Sequence, residues 1–201
     1  MAQPKLAFAP DVAQRLARFA PTDLDFDDAL VTPENRKVLA KLVAAATVID
    51  ELFLEQVSRE NPALRARLVA EGAPQAALDY FDVMYGPWDR TKSDEPFVGS
   101  GAKPAGAGFY PDDLTKAALE AHLQAHPDQA QAFRGYFTVV ERRAGALVAV
   151  PYAEHYRDKL GRAAALLREA AALSTHPALK RYLELRAAAF ASNDYFASDM
   201  A

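Results

Sequence analysis

Along most of this chain apolar residues recur every three or four positions, the period of an amphipathic helix. The spacing predicts a short helix over residues 11–19, then an acidic connector over residues 23–28. Thr32-Pro33 reads as an N-cap followed by proline at the first helical position. It opens a long helix to about residue 60, with Leu39, Leu42, Ala46, Ile49 and Phe53 on one face. Asn61-Pro62 restarts the chain into a helix through Leu68, and another short helix covers residues 74–84. The period then breaks. Residues 85–108 hold five glycines and three prolines, the composition of a long functional or mobile loop. Pro111-Asp112-Asp113 opens the next helix, to about His126. One stretch reads as β: residues 136–141 and 146–150 flank Arg142-Arg143-Ala144-Gly145 as a hairpin. A lone hairpin is marginal in water, so it must pack on helices or join other strands. Pro151 starts a helix with Tyr152, Tyr156, Leu160, Ala163 and Leu167 on one stripe. Ser174-Thr175-His176-Pro177 breaks it and begins a last helix over residues 177–200.

The pattern of that last helix is anomalous. Leu179, Leu183, Phe190 and Ala197 share a face at about 100° per residue, and Arg186, Asn193 and Asp194 fall on the same face. Buried polar groups need partners, so the face either holds a hydrogen-bonded cluster that fixes helix packing or lines a cleft. No stop signal is expected before the chain ends. Together with the unpartnered hairpin, this leads to the expectation that the chain is one part of a larger protein.

The fold class expected is mainly α, a helical lobe with one small β-hairpin element. It comprises a helical segment over residues 1–84, a Gly/Pro-rich loop over 85–110, and helices with the hairpin (about 136–150) over 111–201, the last forming one domain with 1–84. Half of the 201 residues are hydrophobic, enough for a sizeable core. The net charge of −4 is scattered and forms no Lys/Arg cluster, which argues against a nucleic-acid partner. No apolar run is long enough to span a membrane, and Met1-Ala2-Gln3-Pro4-Lys5 lacks the apolar stretch of a signal peptide. The compartment, cytoplasmic or periplasmic, stays open. With no cysteine there is neither a disulfide framework nor a thiolate nucleophile or metal site.

Candidate chemistry is sparse. His122 and His126 share a helix face in a sequence like a zinc-protease helix, but leucine stands where the glutamate base belongs. Two solvent-facing histidines near a helix C-terminus, favoured there by the helix dipole, are the preferred reading over a small metal site. Glu154-His155 is reversed for that motif and has no second histidine nearby. The acidic run at residues 23–28 lacks the glycine and final glutamate of a calcium loop. Gly99-Ser100-Gly101-Ala102-Lys103 lacks the ending of a phosphate loop, and no nucleophile elbow is present. In Tyr85-Gly86-Pro87-Trp88-Asp89-Arg90 the only tryptophan either pins the loop to the core or walls a ligand cleft. Phe109-Tyr110-Pro111-Asp112 carries the same two readings.

Three blocks carry a family resemblance: Tyr85-Gly86-Pro87-Trp88-Asp89-Arg90; Gly108-Phe109-Tyr110-Pro111-Asp112-Asp113-Leu114-Thr115; and the run from Val150-Pro151-Tyr152 through Leu166-Leu167-Arg168-Glu169-Ala170-Ala171 to Ser192-Asn193-Asp194-Tyr195-Phe196-Ala197-Ser198-Asp199-Met200. The chain resembles the N-terminal part of bacterial dipeptidyl-peptidase III proteins, the M49 zinc metallopeptidases. The resemblance implies a two-lobed enzyme that removes dipeptides from peptide N-termini, with zinc on a His-Glu helix. No such helix occurs here, so no zinc ligand or catalytic residue is carried over, and no cofactor is expected in this chain. The implied partners are a peptide substrate and a missing C-terminal zinc lobe. The implied role is that of a substrate-side N-terminal lobe, not expected to hydrolyse peptides alone. Arg186, Asn193 and Asp194 are candidates for polar contacts to substrate, with Tyr85, Trp88 and Tyr110 as aromatic walls. The alternative is a self-standing helical module that binds a peptide or protein without catalysis.

Overall fold

The structure is a computed structural model describing residues 6–25 and 27–201. The expectation that the first five residues form no leader, and Phe26 of the acidic connector, lie outside the described residues. The elements are α1 (Val12–Leu16), α2 (Pro33–Val57), α3 (Asn61–Ala70), α4 (Gln75–Met84), β1 (Trp88–Asp89), β2 (Glu95–Pro96), α5 (Lys116–Ala125), α6 (Ala130–Phe133), β3 (Thr138–Arg143), β4 (Ala146–Pro151), α7 (Tyr152–His155), α8 (Arg157–Leu173), α9 (Pro177–Ser192) and α10 (Phe196–Asp199). The fold is mainly α, as expected. Among the described residues there are two two-stranded antiparallel sheets, β1-β2 and β3-β4, where the sequence suggested one. No helix among the described residues is long and apolar enough to cross a membrane.

The chain forms two compact units, Met1–Leu24 with Phe53–Gly108, and Asp25–Leu52 with Phe109–Ala201. In the first, Val12, Leu68, Ala77, Tyr80, Phe81, Met84, Phe97 and Val98 make the core. The loop expected over residues 85–108 is for much of its length not a mobile excursion. Gly86, Pro87, Trp88, Asp89, Phe97 and Val98 are buried, and β1 pairs with β2 through Trp88↔Pro96 and Asp89↔Glu95. These strands are only two residues long, too short for alternation to reveal them.

The second unit centres on α2, α8 and α9. Val38, Ala45, Ala164, Leu167, Ala170, Ala171, Leu183 and Ala187 form its main core, where the alanines let three helices approach closely. Ion pairs Lys41–Glu169 and Arg162–Glu51 flank it. Thr32 caps α2 as expected, its Oγ1 accepting from Asn35 N–H at 3.2 Å. The buried face of α2 is turned about one residue from the expected one. Val38, Ala45, Val48 and Leu52 are buried, whereas Leu39, Ile49 and Phe53 stay exposed. In an alanine-rich helix two adjacent apolar stripes compete, and the partner helices choose between them.

The helix expected from Pro111 starts at Lys116, because Thr115 is the N-cap and its Oγ1 accepts from Ala118 N–H at 3.1 Å. The hairpin's turn is shorter than expected. Ala144 and Gly145 alone form it, with φ of 50° and 83°, the mirror-image turn that matches strand twist. Val139, Val140 and Val150 are fully buried. Val139 packs with Leu52, Tyr156 and Leu160, and Val140 with Leu123 and Phe133, so the hairpin is sandwiched between helices. Of the expected stripe, Tyr156, Leu160, Ala163 and Leu167 are buried, whereas Tyr152 is half-buried on α7, which is separate from α8.

Candidate functional site

The end of α9 corrects the reading of an uninterrupted last helix. Asn193 adopts the left-handed conformation (φ 60°, ψ 11°) and ends α9, its N–H donating to Ala189 O at 2.9 Å. Asparagine is, after glycine, the residue that tolerates this stop. The Asn193 side chain also serves a second helix, since its Oδ1 accepts from Ala153 N–H at 3.0 Å. That N–H lies in the first turn of α7, where no intrahelical acceptor exists. Beyond the stop, Asp194 Oδ1 accepts from Phe196 N–H at 3.1 Å and opens α10. The helical phase is therefore lost after Ser192. Asp194 and Ala197 are exposed rather than on a buried helix face.

Through α10 the chain returns to Arg186, which is ion-paired with Asp199. The Arg186 guanidinium also lies 5.4 Å from the ring centroids of both Tyr182 and Tyr195, a double cation–π contact. Its Nε is buried and has no hydrogen-bond partner among the described residues. The rings continue outward as a shelf. Tyr195 lies 4.9 Å from Phe137 and 6.2 Å from Phe190. Tyr152 lies 6.1 Å from Phe137, 6.2 Å from Phe109 and 5.3 Å from Tyr156. Burial pushes the hydroxyls of Tyr152 and Tyr195 above the ordinary tyrosine value. Tyr110 and Tyr195 push Tyr152 further, while Arg186 opposes the shift at Tyr195. Both phenols stay neutral donors at physiological pH. Tyr136, Phe137, Phe196 and Met200 remain exposed. The arrangement offers an apolar, aromatic surface with a cation and carboxylates at one end, suited to an extended chain with polar termini.

Of the residues singled out from sequence, Arg186, Asn193, Asp194 and Tyr110 lie in the second unit, Tyr110 packing against the cluster of Leu123, Phe133 and Val140. Tyr85 and Trp88 belong to the first. Tyr85 ends α4 in the left-handed conformation and sits edge-on to Phe53 at 4.8 Å, while its carbonyl accepts from Asn61 Nδ2 at 2.9 Å. Trp88 is 7 % exposed, and its Nε1–H donates to Gly101 O at 2.8 Å, so in this structure it anchors the loop. Tyr152, Tyr195, Phe137 and Asp199 were missed. Only the spacing of Tyr182 and Arg186, one helical turn apart, hinted at the ring–cation stack.

The first unit has its own polar centre, also unforeseen. Arg15, 4 % exposed, donates to Asp11 Oδ1 at 2.9 Å, Asp89 Oδ2 at 3.1 Å and Glu95 Oε1 at 2.6 Å. Asp89 Oδ1 accepts from the N–H and hydroxyl of Thr91 at 2.9 and 2.6 Å. Burial pushes the Asp89 carboxyl up, but the bonds from Thr91, Tyr80 and Arg15 more than offset it and hold it below the ordinary carboxylate value. Every strong group here is satisfied within the fold, which marks the cluster as structural.

The donors needed for zinc do not assemble among the described residues. His122 and His126 have ring centroids 4.7 Å apart, but His122 Nε2 faces the amide oxygen of Gln129 at 3.2 Å. His155 Nδ1 faces Glu141 at 2.5 Å. No three His, Cys, Asp or Glu side chains converge among the described residues. A peptidase zinc site needs three protein ligands, so the residues present do not fit that ion.

No family model matches the chain. Two solved structures do. DPP III from Caldithrix abyssi is 45% identical with a TM-score of 0.90, over 93% of this chain and 36% of that one. Dipeptidyl-peptidase III from Corallococcus sp. strain EGB is 42% identical with a TM-score of 0.91, over 98% of this chain and 37% of that one. Among curated proteins, Nudix hydrolase 3 of Arabidopsis thaliana is 29% identical over 242 aligned residues, 94% of this chain and 31% of that protein. The chain thus spans about a third of the length of the relatives it matches.

Proposed function

We propose that this chain, a dipeptidyl-peptidase III-like N-terminal part in sequence and fold, acts as the substrate-side part of an M49-type zinc metallopeptidase. The observation that carries the proposal is the likeness itself: TM-scores of 0.90 and 0.91 at 45% and 42% identity over nearly the whole chain. In this reading the zinc, its ligands and the hydrolytic base are supplied by the two-thirds of such an enzyme that this chain does not span. No hydrolytic step is assigned to a residue here, and the chain alone is inactive.

The role assigned to the shelf is orientation. Holding a peptide close to its reacting geometry removes translational and rotational freedom before the chemical step. Tyr110 and the rings around Tyr152 and Tyr195 take apolar side chains. Asp194, exposed beside the shelf, pairs with a peptide amine. Arg186, whose side chain is partly exposed beside Asp199, presents its positive charge to a peptide carbonyl. Asn193 sets the angle at which these groups are presented, because it ends α9 and caps α7 at once. Tyr85 and Trp88 are assigned to substrate walls only through the loop that they anchor.

The test measures dipeptide release by the purified chain, alone and mixed with the downstream part of a relative. Activity only in the mixture supports the proposal, and activity of the chain alone overturns it. Failure in both, with metal-free binding of a peptide, supports the self-standing binding module. That second reading is favoured by the exposed apolar side chains of Tyr136, Phe196 and Met200.

A further inference from the structure

Between α8 and the end of α9 lies a cavity of about 470 Å³, within the range of ligand sites. Its floor is one stripe of α8. Arg157, Gly161, Ala164 and Arg168 follow one another at intervals of four, three and four, which places them on a single helix face. Its far wall is Phe190, Ala191 and Asn193. A Cβ at Gly161 would meet nothing within 4 Å, so this glycine leaves the middle of the floor open.

The polar groups around the cavity are almost all donors. Arg157 and Arg168 are exposed and have no ion-pair partner among the described residues, unlike Arg162 on the same helix, which pairs with Glu51. Asn193 spends its Oδ1 on Ala153 N–H and leaves its Nδ2 without a described acceptor. The one carboxylate in the lining, Glu154, is engaged by Arg143 of β3 at 3.5 Å. A guanidinium at each end, an amide donor at the wall and an apolar floor call for an occupant with carboxylates at its ends and carbonyls between them.

Spacing selects the form of that occupant. Eleven helical residues separate the arginines by about 16 Å at 1.5 Å per residue. An extended chain covers that distance in about five residues at roughly 3.3 Å each. We infer that the groove between α8 and α9 binds an extended acidic peptide segment, with carboxylates about five residues apart pairing with Arg157 and Arg168. The inference does not rest on the peptidase reading, because it concerns binding by this chain alone.

The test titrates the full chain with a labelled Glu-Ala-Ala-Ala-Ala-Glu peptide and with the same peptide ending in glutamine. The glutamate peptide is expected to bind at least tenfold tighter in low salt, and the Arg157→Ala and Arg168→Ala variants each to weaken it at least fivefold. Gly161→Leu, which fills the floor and keeps both arginines, is expected to weaken it as much. Equal binding of the two peptides, or unchanged affinity in all three variants, overturns the inference. Displacement of the peptide by an equal concentration of inorganic phosphate also overturns it, since the groove would then be a simple anion site.

Discussion

Arg15 and Asp89, separated by 74 residues of sequence, form a buried ion pair with Nη1 3.1 Å from Oδ2 and side-chain exposures of 4% and 0%. The pair fastens α1 to the β1 strand. Removing one partner of a buried pair leaves the other charge uncompensated and costs about 3–5 kcal/mol. Arg15→Met is therefore expected to lower unfolding free energy by that order, measured by urea denaturation at pH 7. A loss below 1 kcal/mol would show that water reaches Asp89 after the change.

The same pair fixes a pH dependence. Asp89 is held below its ordinary value of 3.8, so its stabilisation is present above that value and is lost as pH falls through the lower, folded one. Wild type should lose stability more steeply than Asp89→Asn on acidification below about pH 4. Parallel urea midpoints across that range would refute the assignment.

Tyr80 behaves in the opposite sense. Burial first, and then Asp89 beside its hydroxyl, push it up to about 12 from 10.0. Its folded pKa is raised, so the stability tied to its neutral form is complete below pH 10 and is lost as pH rises toward 12. Two units correspond to about 2–3 kcal/mol. Tyr80→Phe should flatten this alkaline loss in thermal melts between pH 9 and 11.5, even though Tyr152 and Tyr195 add a loss of their own.

Two glycines should respond oppositely to alanine. A Cβ at Gly108 would stand 2.1 Å from Glu55 O, a backbone atom that cannot swing aside. Gly108→Ala should cost about 1–3 kcal/mol or prevent folding. Gly161 is mid-helix with open space around it, so Gly161→Ala should stabilise by about 0.5–1 kcal/mol. Melting temperatures of the two variants check both signs.

Asn193 separates packing from function. Asn193→Gly keeps the left-handed conformation and loses only the bond to Ala153, about 1 kcal/mol. Asn193→Ala loses that bond and also the local polar side chain with which asparagine tolerates the left-handed conformation, so it should cost about 1–2 kcal/mol more than the glycine variant. If the site reading holds, Asn193→Ala combined with Asp194→Ala in a complete enzyme raises KM or lowers kcat. Unchanged kinetics with lower stability would assign these residues to packing alone.

The sequence by itself determined what depends on neighbours along the chain. Thr32-Pro33 started α2, the period of Tyr156, Leu160, Ala163 and Leu167 marked the buried side of α8, and the two apolar runs flanking Arg142-Arg143-Ala144-Gly145 marked the hairpin. Each rests on local hydrogen bonding or on a fixed angular step, which a short window of residues contains. The motif blocks carried the resemblance to dipeptidyl-peptidase III for the same reason. Only the tertiary structure decided the rest. Asn193 looked like a polar intruder on a helix face and proved to be its stop. The face of α2 turned to suit α8 and α9. Arg15 found Asp89 across 74 residues, and Tyr152, Arg186 and Tyr195 were gathered from α7, α9 and the turn before α10 into one shelf. These outcomes depend on which surfaces meet, and that choice is made by burial and charge pairing between segments that no local pattern connects.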